Sequence, residues 1–365
     1  LVKPGMRIAV GVGSRGIQNL YTIVETTVNS LKELGAEPFI VSAMGSHGGG
    51  TEEGQREVLA GYGITEERLG VPVVTTVDTV YLGNCANGRP VWFDRAAYEA
   101  DLIVPINRVK LHTDFVGPIQ SGLCKMLVIG LGNHKGCSAV HEEAPEVFAG
   151  AIEETARLIL QKAPVGFGIA ILENAYDKTY AVEAVPAEHL VEREKELVQI
   201  AKGNMPYIML DEADVIVCGA IGKDISGAGF DPNILGRSSV LKQFVLHIPR
   251  YQRLVLCDVT PASHGNGIGV GLFDVITKKV AEQLDLESMY ANAIACNCLG
   301  DASVPCTVDD EETAIRVALK CCRNIDRDHP RIIRIQNTLH LGEIEVSEAL
   351  LDAVRADSRM SLIEN

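Results

Sequence analysis

Twice near its start the chain passes from a short apolar run, through a glycine-rich loop, into a helical pattern. Arg7 to Val12 reads as a buried strand, and about 18–34 as a helix closed by Gly35. Pro38 to Ser42 reads as the next strand, and Thr51 as the cap of a second helix. Strand, loop and helix repeated in that order is the pattern of a parallel sheet. In such sheets ligands bind beyond the carboxyl ends of the strands. The loop Gly13-Ser14-Arg15-Gly16 and the loop from Ala43 to Gly50, which carries His47, both fall there.

The pattern continues and then restarts. Strands are expected at 101–106 and 166–172, with a core-facing helix at 146–162 and a charged helix at 190–202. Residues 133–136 read as a surface turn. After Gly203-Asn204-Met205-Pro206, further strands are expected at 214–219, 254–259 and 331–335, with a helix at 313–322. The expected architecture is therefore α/β, with two domains built on parallel or mixed sheets and the active site in the cleft between them. The first domain would span 1–205 and the second 206–340, with 341–365 as a C-terminal helix that packs back on the first.

With 365 residues, of which 47% are hydrophobic and 22% charged, the composition is that of an ordinary globular protein. A net charge of -15 argues against nucleic acid as a partner. No run approaches the roughly 18 to 20 apolar residues of a membrane helix. The ten cysteines are scattered through apolar runs, as expected of reduced thiols in a cytoplasmic protein. Cys296, Cys298 and Cys306 match no standard zinc spacing.

Four positions carry chemistry. His47 sits among glycines, where backbone can approach a ligand closely, and an imidazole titrates near neutral pH. His112 follows Lys110-Leu111 at a strand end. Lys125 lies inside the apolar run from Gly122 to Leu131, and a desolvated amine tends to become neutral and nucleophilic. It reads equally as a lysine whose stem packs while its amine reaches water. His141 and His134 compete as metal ligands, and His141, which leads into a helix, is favoured. Arg15 offers a planar fork for a carboxylate or phosphate. Its loop is neither a Walker loop nor a dinucleotide fingerprint. The polar loops around Lys223, Asp231, Asn233 and Arg237, and around His264, are candidates to close over a small polar substrate.

In this order, Gly45-Ser46-His47, Leu111-His112, Lys125 and His141 resemble the lactate racemase family, whose members use a nickel-pincer nucleotide. Gly11 to Gly16, Ser121 to Met126 and Gly222 to Gly227 are similar to its nickel-pincer isomerase relatives. The resemblance implies a racemase or epimerase of a 2-hydroxy acid or sugar acid that works by hydride transfer. It implies a pyridinium-3-thioamide-5-thiocarboxylate mononucleotide carrying nickel, attached covalently to Lys125. His141 would be the nickel ligand, and His47 and His112 the acid/base pair. Ser14 and Arg15 would contact the cofactor, and Arg15, Lys223, Asp231, Asn233 and Arg237 the substrate. Expected partners are a small hydroxy acid, the cofactor-synthesis enzymes and further copies of the chain in a homo-oligomer. The chain departs from the racemase motif in having Val12 and Gly13 where that motif has an aspartate, and in a longer segment between His112 and Lys125. Both differences bear on the substrate. Two other readings of the same residues are a zinc- or manganese-dependent lyase or hydrolase, and a non-catalytic ligand-binding protein.

Overall fold

The computed structural model describes residues 1–14 and 16–363, so the candidate Arg15 lies outside the described residues. The chain divides into two compact units, one ending at Met205 and one starting at Pro206.

The first unit is built on six strands in the order β3-β2-β1-β6-β7-β8. These are β1 (Arg7–Val12), β2 (Glu37–Ser42), β3 (Val73–Val74), β6 (Leu102–Arg108), β7 (Phe167–Glu173) and β8 (Thr179–Pro186). All neighbours pair in parallel except β7 with β8. The hairpin of β4 (Thr79–Asn84) and β5 (Pro90–Asp94) stands apart as its own ladder. The helices are α1 (Leu20–Glu33), α2 (Glu52–Gly61), α3 (Glu66–Leu69), α4 (Arg95–Tyr98), α5 (Leu123–Lys125), α6 (Asn133–His141), α7 (Pro145–Lys162) and α8 (Leu190–Asn204).

The sequence explains this layering. Leu20, Val24, Val28 and Leu31 recur at helical spacing and form one stripe of α1. That stripe shares a core with Ile8, Val10 and Val12 of β1, Ile40 of β2 and Val104 and Ile106 of β6. Each such side chain removed from water contributes about 1.5–3 kcal/mol. The central strands are apolar on both faces, as a covered parallel sheet requires. A Cβ added to Gly11 would lie 3.8 Å from Leu131 Cδ1, so the segment after Lys125 packs close to the sheet at this point.

The strand order has a consequence for function. From β1 the chain moves outward to β2 and β3, then returns to the other side of β1 as β6. The carboxyl ends of β1 and β6 therefore flank a topological switch point, the standard ligand crevice of such sheets. Gly13 and Ser14 follow β1 there, and Val109 and Lys110 follow β6.

The second unit repeats the logic in the order β12-β11-β10-β9-β13-β14. Its strands are β9 (Val215–Cys218), β10 (Arg253–Leu256), β11 (Val275–Thr277), β12 (Cys306–Val308), β13 (Ile332–Ile335) and β14 (Glu345–Val346), with only β14 antiparallel. Its helices are α9 (Pro232–Leu235), α10 (Lys278–Gln283), α11 (Leu286–Ala295), α12 (Glu311–Lys320) and α13 (Leu351–Ala356). Val354 of α13 and the preceding Leu350 join the core of this unit.

Two elements differ from expectation. β8 is a full strand that the sequence pattern does not announce, because an edge strand half open to solvent carries no continuous apolar run. Residues 133–136 are not a surface turn but the first turn of α6. Asn133 is fully buried there, and its amide donates to Asp94 Oδ2 at 2.9 Å.

Candidate active site

The His47 loop is fastened from below. Gln55, buried on α2, accepts from Ser42 Oγ at 2.6 Å and donates to the Gly45 carbonyl at 3.1 Å. Gly45 N–H donates to the Gly130 carbonyl at 3.0 Å. Gly45, Gly48, Gly49 and Gly50 all have positive φ, which glycine adopts at little cost. Thr51 caps α2 as expected, accepting from Gly54 N–H at 3.1 Å. The His47 ring is held out on this frame, and its Nδ1 bonds to Ser14 Oγ at the end of β1. Ser14 is fixed in turn by Tyr62, whose hydroxyl donates to the Ser14 carbonyl at 2.9 Å. A serine hydroxyl accepts as readily as it donates. With Nδ1–H donating to Oγ, Nε2 is the acceptor nitrogen of the ring.

His112 follows β6. Reciprocal hydrogen bonds of 2.9 and 3.1 Å between Lys110 and Ser121 close the loop that carries it. Its N–H donates to Gln120 Oε1 at 2.8 Å, and its ring stacks on Phe115 with centroids 4.3 Å apart. The Asp114 N–H donates to Nδ1 at 3.1 Å, and Nε2 meets Lys125 Nζ at 2.5 Å. A neutral ring that accepts at Nδ1 carries its proton on Nε2. That proton is then donated to the lysine lone pair, an arrangement satisfied by an uncharged amine.

Lys125 ends the single turn of α5 and is followed by a π turn over Met126–Gly130, closed by Leu131 N–H to the Met126 carbonyl at 2.8 Å. Such wide turns are frequent at functional sites. Gly130 is required here, because a Cβ would stand 2.7 Å from the Ala43 carbonyl oxygen. The apolar run around Lys125 is thus buried while the lysine itself is half-buried.

His141 is the last residue of α6 and is exposed. Its Nδ1 lies 2.7 Å from the Cys137 carbonyl oxygen, one turn earlier, which leaves Nε2 to reach outward. Metal-bound histidines characteristically tie their second nitrogen to a carbonyl in this way. The Cys137 thiol, 3.5 Å from the same ring, raises the imidazole above its ordinary range. Burial pushes the thiol up, but the bond to His141, the charge of that ring and the bonds to Ser46 together outweigh this, and the net shift is downward.

These pieces connect. Ser46 of the His47 loop is 3.9 Å from Cys137 Sγ, and Phe148 of α7 packs its ring on both His141 (5.2 Å) and Phe115 (4.8 Å). His47, His112, Lys125 and His141 are thus joined through side chains within the first unit. His134 is exposed and is not part of this chain of contacts.

The second-unit candidates have mostly local duties. Asp231 caps α9 by accepting from Asn233 N–H at 3.0 Å, and both residues are buried. Arg237 pairs with Asp274 at 2.6 Å and donates to the Leu272 carbonyl. Lys223 Nζ donates to the Gly227 carbonyl at 2.6 Å and to Asn292 Oδ1 at 2.7 Å. Both are neutral acceptors, so its charge is not cancelled by them.

Sequence reasoning missed Cys137, Phe115, Phe148 and the buried Glu194 discussed below. Cys137 had a signal, since it precedes His141 by one helical turn. Phe148 reads simply as core, and Phe115 lies in a stretch that reads as a solvated strand end.

Residues 1–149 match the lactate racemase N-terminal domain family. The whole chain also superposes on solved structures. One is the lactate racemase apoprotein from Thermoanaerobacterium thermosaccharolyticum, with a TM-score of 0.56 and 12% identity over 93% of this chain and 86% of that one. The family match covers residues 1–149, and the superposition extends the likeness, in fold, to most of the chain. A second similar structure, a protein from Thermotoga maritima, gives a TM-score of 0.50 at 12% identity over 95% of this chain and 83% of that one. No curated protein sequence matches. At these identities the superpositions speak for the two-domain α/β fold alone. No helix among the described residues is long and apolar enough to cross a membrane.

Proposed function

We propose that this chain is an isomerase that inverts the hydroxyl-bearing carbon of a 2-hydroxy acid or sugar acid, with a nickel-pincer nucleotide as cofactor. The contact between Lys125 Nζ and His112 Nε2 carries the reading. It is best satisfied by an uncharged amine, the form in which lysine makes a covalent bond.

The residues fit such a group in two further ways. His141 presents Nε2 while its Nδ1 is held by a carbonyl. Among the described residues no three of His, Cys, Asp and Glu converge on one point, so a nickel here would draw most of its ligands from the nucleotide. Lys125 would anchor the nucleotide, His141 would ligate its metal, and Ser14 and Arg15 would flank it. When bound, the group supplies the hydride acceptor and donor, the hard chemistry that a cofactor carries.

The protein supplies the proton chemistry. A hydrogen on a carbon next to a hydroxyl is too weakly acidic to leave readily as a proton. Removing the hydroxyl proton instead lets that carbon become a ketone. His47 and His112 are assigned that role, one for each hand of the substrate. Each would contribute about 10²- to 10⁴-fold in rate. The Asp114 N–H sets the tautomer of the His112 ring, and Ser14 Oγ orients the His47 ring. The glycine loop lets substrate approach backbone at the switch point of the sheet. A zinc or manganese enzyme would need three or more protein ligands at one place, and this observation favours the nucleotide-borne metal.

The test uses 2-deuterated hydroxy acids with chain co-expressed with the cofactor-synthesis enzymes. Inversion with the deuterium retained on carbon is the expected outcome. Inversion with wash-out of deuterium to solvent would replace hydride transfer with proton abstraction and overturn the reading.

A further inference from the structure

Glu194 is an acid that the mechanism above does not use. It lies on α8, in a stretch whose sequence reads as a solvated charged face, yet it is completely buried. Its neighbours Arg193 and Lys195 reach surface acids, at 2.7 Å to Glu183 and 2.8 Å to Glu153. Among the described residues Glu194 has no ion-pair partner. Its Oε2 accepts the Cys124 N–H at 2.8 Å, and the Cys124 thiol and the Leu123 N–H act on the same carboxyl group. Among the described residues Oε1 has no hydrogen-bond partner.

A buried carboxyl group with one unsatisfied oxygen costs stability rather than supplying it. Packing alone would favour leucine at this position. The residues that Glu194 holds are the first two of the single turn that ends in Lys125. A single turn cannot hold itself together, because its first N–H groups have no partners within it. Glu194 supplies them from another helix. Gly122, just before that turn, is shaped to the same contact, since a Cβ there would stand 2.6 Å from the carboxyl carbon of Glu194. Asn107 clamps the segment from the sheet side, donating to the Gly122 carbonyl at 2.8 Å.

We infer that Glu194 is the positioning residue for Lys125, capping its turn from beneath so that the amine stays on His112. This rests on the reading of Lys125 as the anchor, and it assigns the anchor's rigidity to a residue that touches neither substrate nor cofactor.

The experiment is competitive acetylation of the chain without nucleotide, using acetic anhydride and peptide mass spectrometry. Lys162, exposed at the end of α7, serves as the internal reference. In the unaltered chain Lys125 should differ from Lys162 in rate, because its amine is engaged by His112. Glu194→Leu fills the space but accepts nothing, and should move the ratio about five- to tenfold toward one, the scale of a lost helix cap. Glu194→Gln keeps an acceptor oxygen and should hold the ratio within about twofold of the unaltered chain. Gly122→Ala, which strikes the contact from the other side, should act like Glu194→Leu and serves if that variant does not fold. A ratio already near one in the unaltered chain overturns the inference. So does a ratio that the leucine and alanine variants leave unmoved, or a glutamine variant that behaves as leucine. The measurement needs no cofactor. Failure of nucleotide attachment with these ratios behaving as expected would count against the function alone.

Discussion

At the scale of single residues, the three imidazoles of the candidate site lean on backbone groups and a hydroxyl, and His112 Nδ1 also lies 3.9 Å from Asp114 Oδ2. His47 leans on Ser14, His112 on the Asp114 N–H, and His141 on the Cys137 carbonyl. Such partners orient a ring without fixing its charge, as groups that trade protons require. His47→Ala should therefore lower turnover by about 10²- to 10⁴-fold, with substrate affinity changed far less. Ser14→Ala, which removes only the ring's partner, should lower it by less. Steady-state kinetics of both variants in the loaded enzyme measure this, and an equal loss in both would place Ser14 in the chemistry itself.

Glu194 makes a pH prediction at the same scale. Burial pushes its carboxyl group up, opposed by the backbone N–H bonds, to about 7 from an ordinary 4.5. Below the unfolded value the group is neutral in both states. Between there and about 7 the unfolded chain ionises first, so stability falls as pH rises. Glu194→Gln is neutral throughout. Its melting temperature should gain on that of the unaltered chain from pH 5 to pH 8. Asp94, raised by burial to about 6, slopes the same way in both proteins and cancels. A constant difference across that range would contradict the raised carboxyl.

At the scale of elements, the His47 loop holds a run of left-handed glycines, each with its own constraint. Gly49 has φ of 67° and nothing within 4 Å of an added Cβ, so Gly49→Ala should cost about 1–2 kcal/mol from conformation alone. At Gly48 an added Cβ would also stand 2.6 Å from the backbone of Gly54 and Gln55, so Gly48→Ala should cost more. Urea unfolding compares them, and equal costs would mean that the loop does not pack on α2 as described.

This scale also shows what the sequence made legible. β1, α1, β2 and the Thr51 cap could be read because their apolar periodicity and capping chemistry are local. The candidates His47, His112, Lys125 and His141 could be picked out as well, since glycines and an apolar-embedded lysine stand out in one dimension. What could not be read depends on distant partners. The first turn of α6 looks polar until Asp94 is seen to receive Asn133. Glu194 looks solvated until α8 is packed against the turn of Lys125. Arg237, Asp231 and Asn233 look available until their local partners are drawn.

At the scale of the whole molecule, the chain is two units, each with its own sheet and core. Two cores predict two unfolding steps. Hydrogen exchange on the unloaded chain should show β1 and β6 protected by a different opening free energy from β9 and β10. A single cooperative transition with one shared value would contradict two independent cores.

The candidate chemistry described above is carried by the first of these units, and it converges on the amine of Lys125. Mass spectrometry of the Lys125 peptide, from chain produced together with the enzymes that make the nickel-pincer nucleotide, tests the account most directly. The account predicts a mass gain on Lys125 corresponding to the nucleotide, with nickel in the intact protein and its loss when His141 is replaced by alanine. An unmodified Lys125 peptide and no nickel, under conditions that load a member of the lactate racemase family, would contradict it.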